Sequence, residues 1–209
     1  MDQKDIDAAL LHFKRHDPVL AEVTQRVGKL QRRFEKRDAF THLCRAIVGQ
    51  QLSVKAAATI WERVCALYGN KKMLLPREIL ATRADTLRKC GLSLNKITTL
   101  EDLARHFAEE NIDPKRFPRM RSDDIIAALV AVRGIGVWTA QMYLIFGLRR
   151  PDILPVGDLG FQNGIQRAYR LRARPAERTI RRFAKKWTGY ESIAALYLWE
   201  YLHIDIHRA

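Results

Sequence analysis

Acidic side chains are in short supply in this chain: 23 Asp and Glu stand against 37 Lys and Arg over 209 residues, a formal charge of +14. Such an imbalance attracts a polyanion, because phosphate-bound counterions are released on binding, so nucleic acid is the first partner to consider. A ribosome-associated or simply basic soluble protein is the plain alternative. Cysteine is scarce too. Cys44, Cys65 and Cys90 are scattered, which excludes a disulfide framework, matches no zinc-ligand spacing and offers no iron–sulfur motif. No metal site built from side chains is expected. Also missing is any apolar run of the roughly 18 to 20 residues that a membrane span needs. The start, Met1-Asp2-Gln3-Lys4-Asp5, lacks the basic and then apolar run of a secretion signal. The expected location is the cytoplasm, associated with the nucleoid, or the nucleus if the source is eukaryotic. Finally, period-two alternation is nearly absent, which excludes a sheet-based fold and leaves an all-α one.

What is present is helical spacing. From Ser53, a plausible cap, Val54, Ala57, Ala58, Trp61, Val64, Cys65 and Tyr68 recur at i, i+3, i+4, i+7, and Gly69-Asn70 supplies a stop. A second stripe follows Ser93 through Leu94, Ile97, Leu100, Leu103, Ala104 and Phe107. Asp38 is placed to cap a helix from Phe40 to Val48, and Thr82 with Asp85 resembles a capping box. Ser122 reads as the cap of a helix carrying Asp123 and Asp124 in its first turn, and Gly134 ends it. A further helix is expected from Val137 to Leu148, then others near Phe161 to Tyr169, from Pro175 to Trp187 with the proline at the first helical position, and from Tyr190 to His203. The start of the chain reads as helix plus a basic stretch over residues 31–37.

Between two of these helices lies Arg133-Gly134-Ile135-Gly136-Val137-Trp138-Thr139-Ala140. Gly134 and Gly136 permit a tight or left-handed backbone and let a ligand approach main-chain N–H groups with no Cβ in the way. The helix that starts at Val137 points unpaired N–H groups and its positive end at the same place, which suits a phosphate oxygen. Thr139 adds a hydroxyl donor, or caps the helix. Downstream, Leu154-Pro155-Val156-Gly157-Asp158-Leu159-Gly160 presents one acid, Asp158, at the start of the next helix. On its own this is an N-cap. Capping and catalysis are compatible, since a helix N-terminus favours the ionised carboxylate needed beside a cationic sugar. Asp152 lies ahead of that stretch and reads as a loop residue.

The phrase from Leu129 through Gly134-Ile135-Gly136 to Thr139-Ala140 and Leu144, followed by Pro151, Pro155, Gly157 and Asp158, resembles the helix-hairpin-helix DNA glycosylases of base excision repair. The resemblance is closest to the DNA-3-methyladenine glycosylase II branch. Segments like Ala46-Ile47-Val48-Gly49-Gln50-Gln51-Leu52-Ser53 and Gly91-Leu92-Ser93-Leu94-Asn95-Lys96 carry it further, so that it covers most of residues 40–205. It implies two helical lobes with a cleft between them: one over about 40–155, with the hairpin at 122–148, and one over 1–39 plus 156–209. The sheet-containing N-terminal domain of some members has no counterpart here.

By this resemblance Asp158 is the catalytic acid, and Gly134, Gly136 and Thr139 hold a DNA phosphate. Trp199, in Tyr197-Leu198-Trp199-Glu200-Tyr201, matches the tryptophan that stacks on the extruded base, and an indole face suits a positively charged alkylpurine. Trp138 stands where family members that also cut the backbone carry a lysine, so no Schiff base is expected and the reaction stops at an abasic site. Trp138 and Met142 are then candidate walls of the base pocket. Side chains inserted between base steps hold a flipped base out; aligned on the flanking residues, the wedge is Gln51 or Leu52. The implied partner is double-stranded DNA containing damaged bases, with a monomer as the default state. No cofactor is chemically required, although the family allows a monovalent cation on the hairpin's backbone carbonyls. The expected function is a monofunctional glycosylase that releases 3-methyladenine and 7-methylguanine type bases. Two rivals stay open: a non-catalytic hairpin-type DNA-binding protein, and a glycosylase for mismatched or oxidised bases.

Overall fold

The computed structural model describes residues 1–30, 38–71 and 73–204, so the basic stretch at 31–37 lies outside the described residues. Among the described residues all regular structure is helical, in agreement with the spacing read above. The α-helices are α1 (Gln3–His16), α2 (Pro18–Val27), α3 (Ala39–Gly49), α4 (Val54–Leu67), α5 (Pro76–Ala81), α6 (Ala84–Lys89), α7 (Leu94–Ala108), α8 (Ser122–Val130), α9 (Val137–Phe146), α10 (Leu159–Ala168), α11 (Glu177–Ala184) and α12 (Glu191–Tyr201). Short 3-10 turns occupy Phe117–Arg119 and Lys185–Trp187. The chain divides into two compact units, Met1–Arg33 with Arg149–Ala209, and Phe34–Leu148.

In the first unit α12 is the buried axis. Ser192 to Leu198 lie at or near zero exposure on every side of the helix, which is what a helix apolar all round must do to leave water. It packs on α10 and α2. The approach to α10 is close because Gly164 has no side chain; a Cβ there would sit 2.7 Å from the Leu198 carbonyl oxygen. Between α1 and α2 the buried Asp17 caps α2 through Leu20 N. It also accepts from Tyr169 Oη at 2.5 Å and Trp187 Nε1 at 3.0 Å. One carboxylate thus ties the α1–α2 joint to the end of α10 and the turn after α11.

The second unit builds around α3 and α7, with α4 and α9 packed on α3, and α5 and α6 on α7. Its core holds Phe40, Leu43, Ile47, Leu100, Leu103 and Leu144, each worth about 1.5–3 kcal/mol of hydrophobic stabilisation. Asp38, Ser53 and Ser93 cap α3, α4 and α7 as expected, accepting from Thr41, Ala56 and Lys96 N–H respectively. Three expected helix starts differ. Thr82 ends α5, its hydroxyl turned back to the Glu78 carbonyl, and α6 begins after Arg83 without a side-chain cap. Ser122 is the first residue of α8 and makes no cap bond; Arg121 precedes it. Pro175 sits one residue ahead of the Ala176 cap position of α11, outside the helix.

Candidate functional site

Asp158 takes the N-cap position of α10 in the first unit. Its Oδ1 accepts Phe161 N–H at 2.7 Å and Trp199 Nε1–H at 2.8 Å. Two donors from different helices therefore fix one carboxylate oxygen at the N-terminus of α10. Trp199 is 9% exposed, so most of the indole is occupied by the protein and its N–H is directed to the acid. Gly160 makes this possible: a Cβ there would lie 3.1 Å from Trp199 Cδ1 and 3.2 Å from Asp158 Oδ1. Upstream, Val156 O accepts from Gln162 Nε2 and Asp158 N donates to Pro155 O, which fixes the loop that delivers the acid. Asp152 is an exposed loop residue, as expected.

The glycine turn lies in the second unit between α8 and α9. Gly134 has φ of +82°, and a Cβ there would stand 2.1 Å from Thr99 Oγ1 on α7. Both backbone conformation and packing demand glycine. Gly136, by contrast, is the N-cap of α9, with no side-chain cap bond and open space where a Cβ would be. The turn is braced by α7, whose Asp102 Oδ2 accepts Arg133 N–H at 2.8 Å. Thr139 is 3% exposed, and its hydroxyl accepts from Gln50 Nε2 at 3.0 Å. The side-chain donor expected of it therefore faces protein, and the residue's remaining offer to a ligand is its backbone.

Trp138 and Met142 fall at i and i+4 on α9, one face of the helix. Trp138 is 40% exposed and Met142 is half-buried. Gln51 and Leu52 are both exposed in the turn between α3 and α4, and Gln51 adopts φ of +55°. Trp61 and Trp187 are core residues. Of the turn's carbonyls, Val132 O accepts Ile135 N–H and Gly134 O accepts Gln50 Nε2–H at 3.2 Å. Each of these two oxygens accepts one hydrogen bond and keeps a second lone pair.

Residues missed from the sequence are the ones that hold the others. Gln50 joins the α3–α4 turn to the hairpin. Lys96, its ammonium held below the ordinary lysine range by burial, donates to Val48 O at 2.8 Å and Gln50 O at 2.9 Å, closing the C-terminus of α3. Gly160 was detectable as a glycine in a helix first turn, where it costs stability unless something packs against it; Gln50 gave no comparable signal.

Residues 44–189 match the family model described as HhH-GPD superfamily base excision DNA repair protein. DNA-3-methyladenine glycosylase 1 of Schizosaccharomyces pombe is 31% identical over 206 residues, 95% of this chain and 90% of that protein. The DNA-3-methyladenine glycosylase of Saccharomyces cerevisiae is 37% identical over 137 residues, 62% of this chain but 46% of the yeast protein. Among solved structures, the fission-yeast 3-methyladenine DNA glycosylase Mag1 in complex with abasic DNA superposes with a TM-score of 0.86 at 29% identity, covering 92% of this chain and 95% of its own. On the family match and the full-length relative together, the chain belongs to the HhH-GPD superfamily of base excision DNA repair proteins.

Proposed function

We propose that this protein is a monofunctional DNA glycosylase that takes alkylated purines out of duplex DNA and hydrolyses their N-glycosidic bond, with Asp158 as the catalytic carboxylate. The observation that carries this reading is the double hydrogen bond on Asp158 Oδ1 from Phe161 N and Trp199 Nε1. A carboxylate already oriented by two donors costs no reorganisation when positive charge develops on the sugar, and electrostatic stabilisation of that kind is commonly the largest catalytic contribution.

In the proposed reaction the C1′–N bond breaks and its electron pair leaves with the base. An N3- or N7-alkylated purine starts positively charged, so it departs neutral and needs little help from a general acid. Asp158 stabilises the oxocarbenium-like sugar and orients a water whose oxygen bonds to C1′. The water's proton passes to the carboxylate or to solvent, and the product is an abasic site. Water is the only co-reactant this chemistry requires. Trp138, where a lyase would hold an amine, supplies no nucleophile for a Schiff base, so strand cleavage does not follow.

Unit two supplies DNA binding. The uncapped start of α9 offers backbone N–H groups to a phosphate beside Gly136, where no side chain obstructs approach. Gln51 and Leu52 are the exposed side chains available to fill the gap left by a flipped nucleotide. Trp138 and Met142 offer an aromatic and a polarizable surface to a cationic base. The protein acts as a monomer on double-stranded DNA, wherever the cell keeps its chromosome. The similarity to glycosylases named for 3-methyladenine supports this substrate class.

The decisive experiment incubates wild-type and Asp158→Asn protein with methylated duplex and identifies released bases by mass spectrometry. Wild type is expected to free 3-methyladenine or 7-methylguanine. The asparagine variant, equal in shape and still able to accept Phe161 N–H, is expected to bind the duplex but to lose at least about a hundredfold in base release, the scale of removing a transition-state charge contact. Equal release by the two proteins removes Asp158 from the mechanism.

A further inference from the structure

Flipping a nucleotide requires two contacts at a fixed separation, one gripping the backbone and one filling the vacated space. In this chain the α3–α4 turn and the α8–α9 hairpin, distant in sequence, are joined by one side chain. Gln50 Nε2 donates to Gly134 O at 3.2 Å and to Thr139 Oγ1 at 3.0 Å, across 84 and 89 residues. The same residue's carbonyl accepts Lys96 Nζ at 2.9 Å, and Lys96 reaches Val48 O at 2.8 Å. Gln50 is thus held from α7 through its backbone, and it holds the hairpin through its amide. The next two residues, Gln51 and Leu52, are exposed. Gln51 takes a left-handed φ of +55°, as residues directly after a helix C-cap commonly do, and the turn is held by Gln50 N–H donating to Ile47 O and Leu52 N–H to Gly49 O.

We propose that Gln50 is a positioning residue for base flipping: its amide sets the distance between the plug at Gln51–Leu52 and the phosphate grip at the hairpin, and Lys96 braces it. This rests on the glycosylase reading above and adds to it the coupling of two sites. Gln50 touches neither the reacting bond nor the acid. Its effect falls on the step that opens the pair, and so must scale with how hard the pair is to open.

The test uses the full chain with Gln50→Met, which keeps the length of the side chain and removes both donors, and Lys96→Met. A Gln51→Ala, Leu52→Ala double variant marks the plug itself. Single-turnover release of one 7-methylguanine is measured with that base paired to cytosine, opposite a mismatched base, and in single strand, alongside thermal melting of each protein. Gln50→Met is expected to slow release from the paired duplex by about tenfold, the effect of two ordinary hydrogen bonds, to recover most of that opposite a mismatch, and to match wild type on single strand. Lys96→Met is expected to follow the same order. Equal losses on all three substrates would mean a merely structural role, and unchanged release from the paired duplex would mean none; either overturns the proposal. If the plug double variant shows no preference for easily opened sites, the coupled partner is wrong and the proposal falls while the glycosylase reading stands. Failure of wild type to release 7-methylguanine from any of the three overturns both.

Discussion

Trp199, read from the sequence for its aromatic face, also carries a donor to the acid. Its sequence position suggests an aromatic face for a base, but the ring is 9% exposed and its N–H is bound to Asp158. Trp199→Phe separates the two properties, keeping a flat ring and removing the donor. Turnover on methylated duplex is expected to fall about tenfold, the worth of a hydrogen bond to a charged group. In the Asp158→Asn background the same change should cost little more, since the two residues act as a unit. Single-turnover rates for the four proteins of this cycle check it; full additivity would mean that the indole works independently of the acid. The cap at Asp158 was legible because a lone carboxylate stands directly before Leu159-Gly160-Phe161, while its catalytic role is what the resemblance implies. Gln50 and Lys96 were not legible, since their partners are backbone carbonyls and the Thr139 hydroxyl, and no residue type advertises an acceptor scores of positions away.

Helices were the most readable feature, and their ends the least. Asp38, Ser53, Ser93 and Asp158 all cap as read, because each stands directly before an apolar stripe and its oxygen meets the N–H three residues on. Thr82 and Ser122 fail for local reasons: a hydroxyl can bond back to a carbonyl four residues earlier, as Thr82 does to Glu78, or be taken into the helix itself. The division of the N-terminal segment into α1 and α2 was also missed, although Asp17-Pro18 marks it plainly: proline at the first helical position and aspartate before it. That joint makes a stability prediction. Asp17→Ala removes the α2 cap and leaves Tyr169 Oη and the buried Trp187 Nε1 without their acceptor. The loss is expected to be about 2–4 kcal/mol, or roughly 5–15 °C in melting temperature for a chain of this size. Calorimetry decides it; a shift below about 2 °C would mean that rearrangement or water replaces the carboxylate. Base release per folded molecule should change far less than stability, because Asp17 acts through packing.

The net charge of +14 predicts a polyanion partner before any motif does, yet it does not say which contacts are electrostatic. Two kinds of DNA contact open to this chain, main-chain amides and exposed cations, differ in their response to salt. Backbone N–H groups at the start of α9 carry no formal charge and release few counterions. Exposed cations such as Arg178, Arg182 and Lys185, on and just after α11, would each add about 0.9 to the slope of log affinity against log salt when they neutralise a phosphate. Gly136→Val places a branched side chain in the open space beside those N–H groups. It is expected to weaken duplex binding by a similar factor at low and high salt, leaving the slope within error of wild type. Arg178→Ser with Arg182→Ser is expected to weaken binding chiefly at low salt and to flatten the slope by up to about 1.8. Fluorescence anisotropy on undamaged and abasic duplexes over a salt series measures both. Were Gly136→Val to flatten the slope instead, the hairpin would be working through nearby cations, and the assignment of the phosphate grip to main-chain amides would be wrong.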